Sequence, residues 1–400
     1  MKIRIGTFNM ENLFLRYRVL NGQRAGPYYP KPIPFDEISQ YLEEYSALIK
    51  ELGGAKRIMD DPVVRKEFYK RISKAPKAEK ALAKFLIEGG SINNLNVNEI
   101  STITPAQRNN TAKAIRGEDN EMMFPDILAV QEVENLQTLK QLNETYLDKH
   151  FKYMYLIDGN DSRQIDVGFL SMFPAVKIRT HQFIPDSVTH EHLFSRDCLE
   201  IDFAITNSQE EDLEKTDIDK QVPILTFFNN HLKSHFLDWR KKGEEKDKQI
   251  EADNQKRKRQ ADEVAKLVKA RFGNDIDNRF FVVCGDFNDD PTTPTLQELL
   301  SMGLDNVVSR IDGSGSGSYE KTWTYYYEKE DTVHQYDYLL FSKTLAEKNP
   351  TVMPIIERRG VAKYKKLQTN HGFDLERFIG VAGKGTEASD HCPVYIEIEI

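Results

Sequence analysis

Short apolar runs, several alternating with polar residues, recur along the whole chain and predict a sheet-rich fold. Candidate strands cover residues 3–8, 127–131, 166–171, 201–206, 224–229, 280–284, 336–341 and 394–400. In the first, Ile3, Ile5 and Thr7 alternate with Lys2, Arg4 and Gly6; in the last, Val394, Ile396, Ile398 and Ile400 alternate with positions that include Glu397 and Glu399. Successive side chains of a strand point to opposite faces, so these strands bury one face more deeply than the other.

Elsewhere the apolar period changes to that of a helix. Ile38, Tyr41, Leu42, Tyr45, Ile49 and Leu52 make one stripe over residues 36–52. Residues 62–89 also read as mostly helical, with Pro62 at the start, Pro76 as an interruption and Gly89-Gly90 at the end; a further helix covers 106–116. Together these predict a helical insertion of about residues 15–120 between the first two strands, acting as a cap or an oligomer contact. A second, charged insertion at about 238–260 precedes an apolar helical stripe of Ala261, Val264, Ala265, Val268 and Phe272. Its basic run at 256–259 reads as solvated surface, with contact to substrate phosphates as the alternative. The Gly/Ser run at 313–318 reads as a flexible loop, since no Gly-Lys-Ser or Gly-Lys-Thr follows it.

Composition bounds the fold. With 400 residues, 39% hydrophobic and 30% charged, the chain can bury a substantial core, in two or three domains or in one large domain with insertions. The 63 acidic against 55 basic residues give a net charge of -8, which argues against nucleic-acid binding over the whole surface and leaves room for a local basic groove. Three cysteines without a close pair argue against a disulfide scaffold or a cysteine zinc site. No run of eighteen apolar residues occurs, which predicts no membrane-spanning segment. The N-terminal MKIRIGTFNM lacks signal-peptide character, so the cytoplasm is the default expectation and a secreted mature form the alternative. No obligate protein partner is evident.

The chemistry gathers at predicted strand ends. In FFVVCGDFNDDP an apolar strand ends in Asp286, with Asn288 two residues on. A carboxylate and an amide at that spacing can serve one side of the chain. Asp289 and Asp290, just before Pro291, read as turn caps. Glu132 is an acid where the apolar strand ILAVQ ends, Asn9 ends the first strand, and Asp390 and His391 precede the last. Hard oxygen donors and amides suit Mg2+ or Mn2+ better than zinc. His231 and His391 stand where an acid, a base or a transition-state stabiliser could reach a phosphate, and Asp337 could orient one imidazole.

The segments TFNMENLF, AVQEVEN, IDVGFLS, NNHLKS, CGDFNDDP, YDYLLF and SDHCPV, in that order and over nearly the full length, resemble the Mg2+-dependent endonuclease/exonuclease/phosphatase superfamily of deoxyribonuclease I, in a bacterial-type form. The resemblance implies an α/β four-layered sandwich: two packed sheets flanked by helices, with the site at one end. It also implies roles. Asn9 and Glu132 match the first-strand asparagine and the metal-ligating glutamate, and Asp390 a metal-associated aspartate. Asp286 and Asn288 match the pair that positions water and phosphate. His391 matches the histidine at the scissile phosphate, Asp337 the carboxylate that orients it, and His231 the second histidine of the deoxyribonuclease I branch. Arg163 resembles a phosphate-facing arginine, although Gln164 follows it where glycine is expected.

The expected activity is a Mg2+-dependent (or Mn2+-dependent) phosphodiesterase acting on DNA or RNA by in-line attack of water. The alternative is a phosphatase or phospholipase-like enzyme for a small phosphorylated or lipid substrate. A binding protein that kept the fold without catalysis is a third class, disfavoured because every chemical role has a candidate residue. Those candidates run from Asn9 to His391 and must converge, which predicts that residues 1–400 form a single catalytic domain carrying the two insertions.

Overall fold

The computed structural model describes residues 1–14, 35–75, 103–118, 124–161, 163–206, 222–235, 241–312, 319–361 and 376–400 except 384, together with 80, 83–84, 86–87, 367 and 372. The expected loop at 313–318, the Gly89-Gly90 helix end and the side chains of Ile38 and Leu42 lie outside the described residues. The chain divides into two compact units, one formed by Met1–Leu13 with Ala106–Ile400 and the other by Phe14–Pro105.

The larger unit contains two six-stranded sheets. The first comprises β1 (Lys2–Leu13), β2 (Ile127–Val133), β3 (Tyr153–Leu156), β4 (Asp166–Ser171), β13 (Ile355–Ile356) and β14 (Val394–Glu399), ordered β13-β14-β1-β2-β4-β3. The second comprises β5 (Ala175–Arg179), β6 (Cys198–Ala204), β7 (Ile224–His231), β8 (Phe281–Asp286), β9 (Asp305–Asn306) and β12 (Asp337–Phe341), ordered β5-β6-β7-β8-β12-β9. A small antiparallel pair, β10 (Tyr325–Tyr327) and β11 (Thr332–His334), stands apart. All eight expected strands are present, and β3, β5, β9, β10, β11 and β13 are additional; these are short and, apart from Tyr326 of β10, not fully buried, so each offers too brief a pattern to read.

Alternation along the strands assigns the layers. Ile3, Ile5, Ile127, Ala129, Val167 and Phe169 of the first sheet share one buried cluster with Ile201, Phe203, Phe227 and Val282 of the second, so the sheets pack face to face. On the outer face of the first sheet, Phe8, Leu128 and Val130 pack with Ala112 and Ile115 of α4 (Pro105–Arg116) and with Leu139 and Leu142 of α5 (Leu136–Tyr146). On the outer face of the second, Phe228, Val283 and Leu340 pack with Ala261, Val264 and Val268 of α6 (Glu244–Phe272). Helix, sheet, sheet, helix is the expected four-layered sandwich. Each fully buried Phe or Leu contributes about 1.5–3 kcal/mol relative to exposure.

Within the smaller unit, α1 (Phe35–Glu51), α2 (Ala55–Asp60) and α3 (Pro62–Arg71) supply Tyr45, Ile58 and Phe68 to a core of their own, joined by Ile72, Ala83 and Ile87. Asp61 starts α3 by accepting from the N–H groups of Val63 and Val64, with Pro62 in the first turn.

The charged segment expected as an insertion is, from Glu244, the first half of the single helix α6. Its basic run departs from the solvated-surface expectation at the two arginines, while the Lys258 side chain stays 42% exposed. Arg257 is fully buried, donating to Asp289 Oδ2 at 2.9 Å and to the Lys233 carbonyl at 2.6 Å; Arg259 pairs with both oxygens of Asp186 at 2.9 and 2.7 Å; and Lys258 pairs with Asp262 at 2.9 Å. The tertiary fold supplies the carboxylates of the two arginines, which the run's local sequence does not show, whereas Asp262 lies one helical turn beyond Lys258.

Candidate active site

Two parallel strand pairs set one end of the sandwich. β1 runs parallel to β2 with Asn9 opposite Gln131, and β7 runs parallel to β8 with His231 opposite Asp286. β12 enters antiparallel with Asp337 opposite the same Asp286. The strand ends therefore deliver their polar residues to one edge, and a buried polar tie holds the sheets together just behind it. Gln131 Nε2 donates to Asn229 Oδ1 at 2.7 Å, and Asn229 Nδ2 donates to the Gly168 carbonyl at 2.9 Å.

Gly285 permits the close approach of β7 and β8. Its φ is +119°, and a Cβ there would lie 1.9 Å from the Asn230 carbonyl oxygen. At the same edge the backbone is also left-handed at the non-glycine residues Glu11 (φ 45°), Asn12 (φ 56°), Glu132 (φ 60°) and Asn288 (φ 53°). The β1–β2 register breaks between Asn9 and Leu13, and the Glu132 carboxylate accepts the Asn12 N–H at 2.9 Å across that bulge. Bulges at a strand's end re-aim side chains, and left-handed backbone at such residues persists only where surrounding contacts impose it.

Asp286 is the hub. Its Oδ2 accepts from Asn9 Nδ2 at 2.9 Å and from Asn288 Nδ2 at 3.0 Å, and its Oδ1 accepts the Asn288 N–H at 2.8 Å. His231 Nε2 stands 3.4 Å and His391 Nε2 3.8 Å from the same Oδ2. His391 Nδ1 lies 2.8 Å from Asp337 Oδ2, and the backbone N–H of His391 donates to Ser389 Oγ at 3.0 Å. Ser389 Oγ in turn donates to the Asn9 carbonyl at 2.7 Å. Glu132 sits at the mouth, its Oε1 3.8 Å from His231 Nε2.

The two histidines hold opposite charge states. Burial keeps His231 well below the ordinary histidine value, with the positive charges of Arg196 and Arg163 adding to it. Burial also opposes charge on His391, but Asp337 and Asp286 outweigh it and hold that imidazole protonated well above its ordinary value. Burial pushes the Asp286 carboxyl up to about 7, an effect that His391 opposes and Asp337 reinforces.

Asn9, Glu132, His231, Asp286, Asn288, Asp337 and His391 thus come together. Asp390 is half-buried beside His391 and its charge is felt there and at Tyr325, but it makes no hydrogen bond or ion pair among the described residues. Arg163 is held by Asp161, Nε to Oδ1 at 3.0 Å and Nη2 to Oδ2 at 2.8 Å. Asp289 and Asp290 do more than cap a turn: Asp289 is buried against Arg257, and Asp290 accepts the Gln335 N–H at 2.9 Å and lies 2.8 Å from His334 Nδ1.

Sequence reasoning passed over Ser389, Arg196 and Tyr336, and it reads Trp323, Tyr325 and Tyr326 together as core packing, with stacking on a base or sugar as the alternative. Ser389 could have been found as the hydroxyl directly preceding Asp390. Arg196 stands with Asp197 just before the buried strand β6, an unusual place for charge. Trp323 and Tyr326 are fully buried, whereas Tyr325 is partly exposed beside His391.

Residues 94–391 match the model of the endonuclease/exonuclease/phosphatase family. The chain belongs to that family, whose shared chemistry is hydrolysis of phosphate esters. No curated protein sequence matches it significantly. Among solved structures, it is similar to truncated Caenorhabditis elegans TDP2 at 16% identity, a TM-score of 0.43 and coverage of 74% of this chain and 91% of that one. It is similar to the beta toxin of Staphylococcus aureus at 12% identity, a TM-score of 0.43 and coverage of 74% and 93%. An AP endonuclease from Archaeoglobus fulgidus gives 14% identity, a TM-score of 0.41 and coverage of 69% and 90%. The family match extends to the endonuclease/exonuclease/phosphatase family as a whole and does not single out a bacterial branch.

Proposed function

We propose that this protein is a Mg2+-dependent phosphodiesterase that hydrolyses the phosphodiester bonds of DNA or RNA by in-line attack of water, within one catalytic domain into which the unit 14–105 is inserted. The observation that carries the reading is the pairing at Asp286: one buried carboxylate, held by three amide hydrogen bonds, facing a neutral and a charged imidazole on the same oxygen. A phosphoryl group needs just such an arrangement, a base on one side and fixed donors for its developing negative charge.

The donor set suits a divalent cation that brings most of its own shell. Among the described residues no three His, Cys, Asp or Glu side chains are arranged to hold a metal ion. Mg2+, however, is usually held by one or two carboxylates, with water and substrate phosphate completing its shell. Glu132 fits that role. One of its oxygens is taken by the Asn12 N–H and the other faces the site beyond hydrogen-bond reach of His231. Asn9, and Asp390 from beside His391, would complete the protein's share. Bound there, the cation would offset charge building on the phosphoryl oxygens and the leaving group.

The chain's own residues perform the rest. Asp286 orients the attacking water and takes its proton, and its near-neutral proton affinity suits that task. Asn288 fixes Asp286 through both its backbone and its amide, leaving its left-handed turn facing the phosphate. His391, kept protonated by Asp337, donates to a nonbridging oxygen. His231 stays neutral and contributes a directed dipole without a competing charge. Arg163, pre-aligned by Asp161, meets the phosphate from the β4 side.

The deciding experiment is a substrate panel of plasmid, short single strands, RNA, bis(p-nitrophenyl) phosphate and inositol phosphates, with Mg2+, Mn2+ or chelator. Diester cleavage that requires the metal is expected, and Glu132→Ala and His391→Ala should each reduce it by about 10²–10³-fold in a folded protein. Cleavage of monoesters alone would reject the reading, and unchanged turnover in either variant would remove that residue from the site.

A further inference from the structure

Beside the candidate site stands a file of rings that the chemistry above does not use. Tyr325 forms an isolated antiparallel bridge with His391, and their rings lie 4.8 Å apart, tilted by 37°. Tyr325 stacks on Tyr336 at 5.0 Å and 14°. Tyr336 is flanked by His334 at 5.0 Å and by His235 at 5.8 Å. Both histidines are themselves tied down. His334 has Asp290 Oδ2 2.8 Å from Nδ1 and Thr332 Oγ1 2.8 Å from Nε2, and His235 Nδ1 lies 3.3 Å from Arg257 Nη2. The backbone adds a further constraint, because the N–H groups of Tyr336 and Asp337 both donate to Thr324 Oγ1, at 3.1 and 3.0 Å.

Because the rings face one another, they present edges rather than open faces, and stacking on a substrate base is not what this array offers. The edges carry hydroxyls. Tyr325 and Tyr336 are partly exposed, and neither phenol oxygen has a hydrogen-bond partner among the described residues. Other tyrosines of the larger unit contrast with them: Tyr338 donates to the Asp289 carbonyl at 2.7 Å, Tyr395 to the Ala114 carbonyl at 2.8 Å and Tyr155 accepts the Ala175 N–H at 2.8 Å. Both free phenols are kept protonated, chiefly by burial and then by nearby carboxylates, including Asp390 for Tyr325 and Asp290 for Tyr336. A protonated phenol with no partner, on a ring that cannot turn away, is a preset donor.

We propose that Tyr325 and Tyr336 are specificity-determining residues whose hydroxyls donate hydrogen bonds to acceptor oxygens of the groups esterified to the scissile phosphate, so that the site selects oxygen-rich nucleoside diesters over apolar ones. This rests on the phosphodiesterase reading and extends it to the substrate's flanks. A pocket built around fixed donors discriminates strongly, because a substrate lacking the acceptors leaves the donors desolvated and unpaired.

The test compares a short oligonucleotide with bis(p-nitrophenyl) phosphate, whose esterified groups lack sugar oxygens, in wild type, Tyr325→Phe and Tyr336→Phe. Phenylalanine keeps the ring stack, and a melting temperature within a few degrees of wild type confirms it. Each variant should lose at least about tenfold more kcat/KM on the oligonucleotide than on the small diester. Equal losses on the two substrates, or no loss on the oligonucleotide, would overturn the proposal. Wild type that cleaves neither diester refutes the underlying phosphodiesterase reading; wild type that cleaves only the small diester refutes the selectivity while leaving that chemistry intact.

Discussion

At the scale of single residues, Asp286 couples activity to stability with opposite signs. On the proposed mechanism the carboxylate form is the base, so kcat/KM rises with pH through about 7. The folded value is raised above that of an unfolded aspartate. The stability it contributes is therefore fully present at low pH and is lost as pH rises through about 7, and the raised value of His391 acts in the same sense at higher pH. In chelator, wild type should thus lose melting temperature relative to Asp286→Asn between pH 5 and 8, the amide being unable to ionise. A constant difference would show that Asp286 is already ionised throughout. Asp286, Glu132 and His231 were legible in the sequence because each ends an apolar strand, and His391 because it stands just before one. Their charge states were not, since those depend on burial and on partners such as Arg196 and Asp337 that are remote in sequence.

At the scale of elements, the register of β7 against β8 places His231 beside Asp286, and Gly285 makes that register possible. Gly285→Ala drives a methyl into the Asn230 carbonyl and should destabilise the protein by about 3 kcal/mol or more, or abolish folding, as read by denaturant unfolding. A loss below about 1 kcal/mol would mean that the two strands separate easily. The helix α6 teaches a related point. Its charged first half reads from sequence as an insertion, yet Arg257 and Gln260 are fully buried and hold the loops after β7 and β8 through Lys233 and Asp289. A polar residue on a helix gives no local sign of whether the fold will bring it a partner.

At the scale of the whole molecule, the face-to-face core is the main source of stability. Phe227 lies at its centre, its ring 5.7 Å from those of both Phe169 and Phe203. Phe227→Ala should cost about 3–5 kcal/mol in denaturant unfolding. The net charge of -8 also takes on a more specific meaning. Among the described residues, three cations near the site are each paired with a carboxylate, Arg163 with Asp161, Lys233 with Asp253 at 3.2 Å and Arg257 with Asp289, so they offer little free positive charge to a long duplex. Nucleic-acid cleavage should accordingly show a shallow salt dependence, with a log–log slope of about -1 to -2; a slope near about -6 would reveal a broad basic contact. The sequence by itself determined eight strands and the acids, amides and histidines at their ends, because strand periodicity and an abrupt polar stop are local signals; the layered α/β class followed from the resemblance of its ordered motifs to a known family. Only the tertiary structure decided which charges are paired, which histidine is charged, and that Tyr325 faces the site while Trp323 and Tyr326 are core, because pairing and burial arise from contacts between residues far apart along the chain.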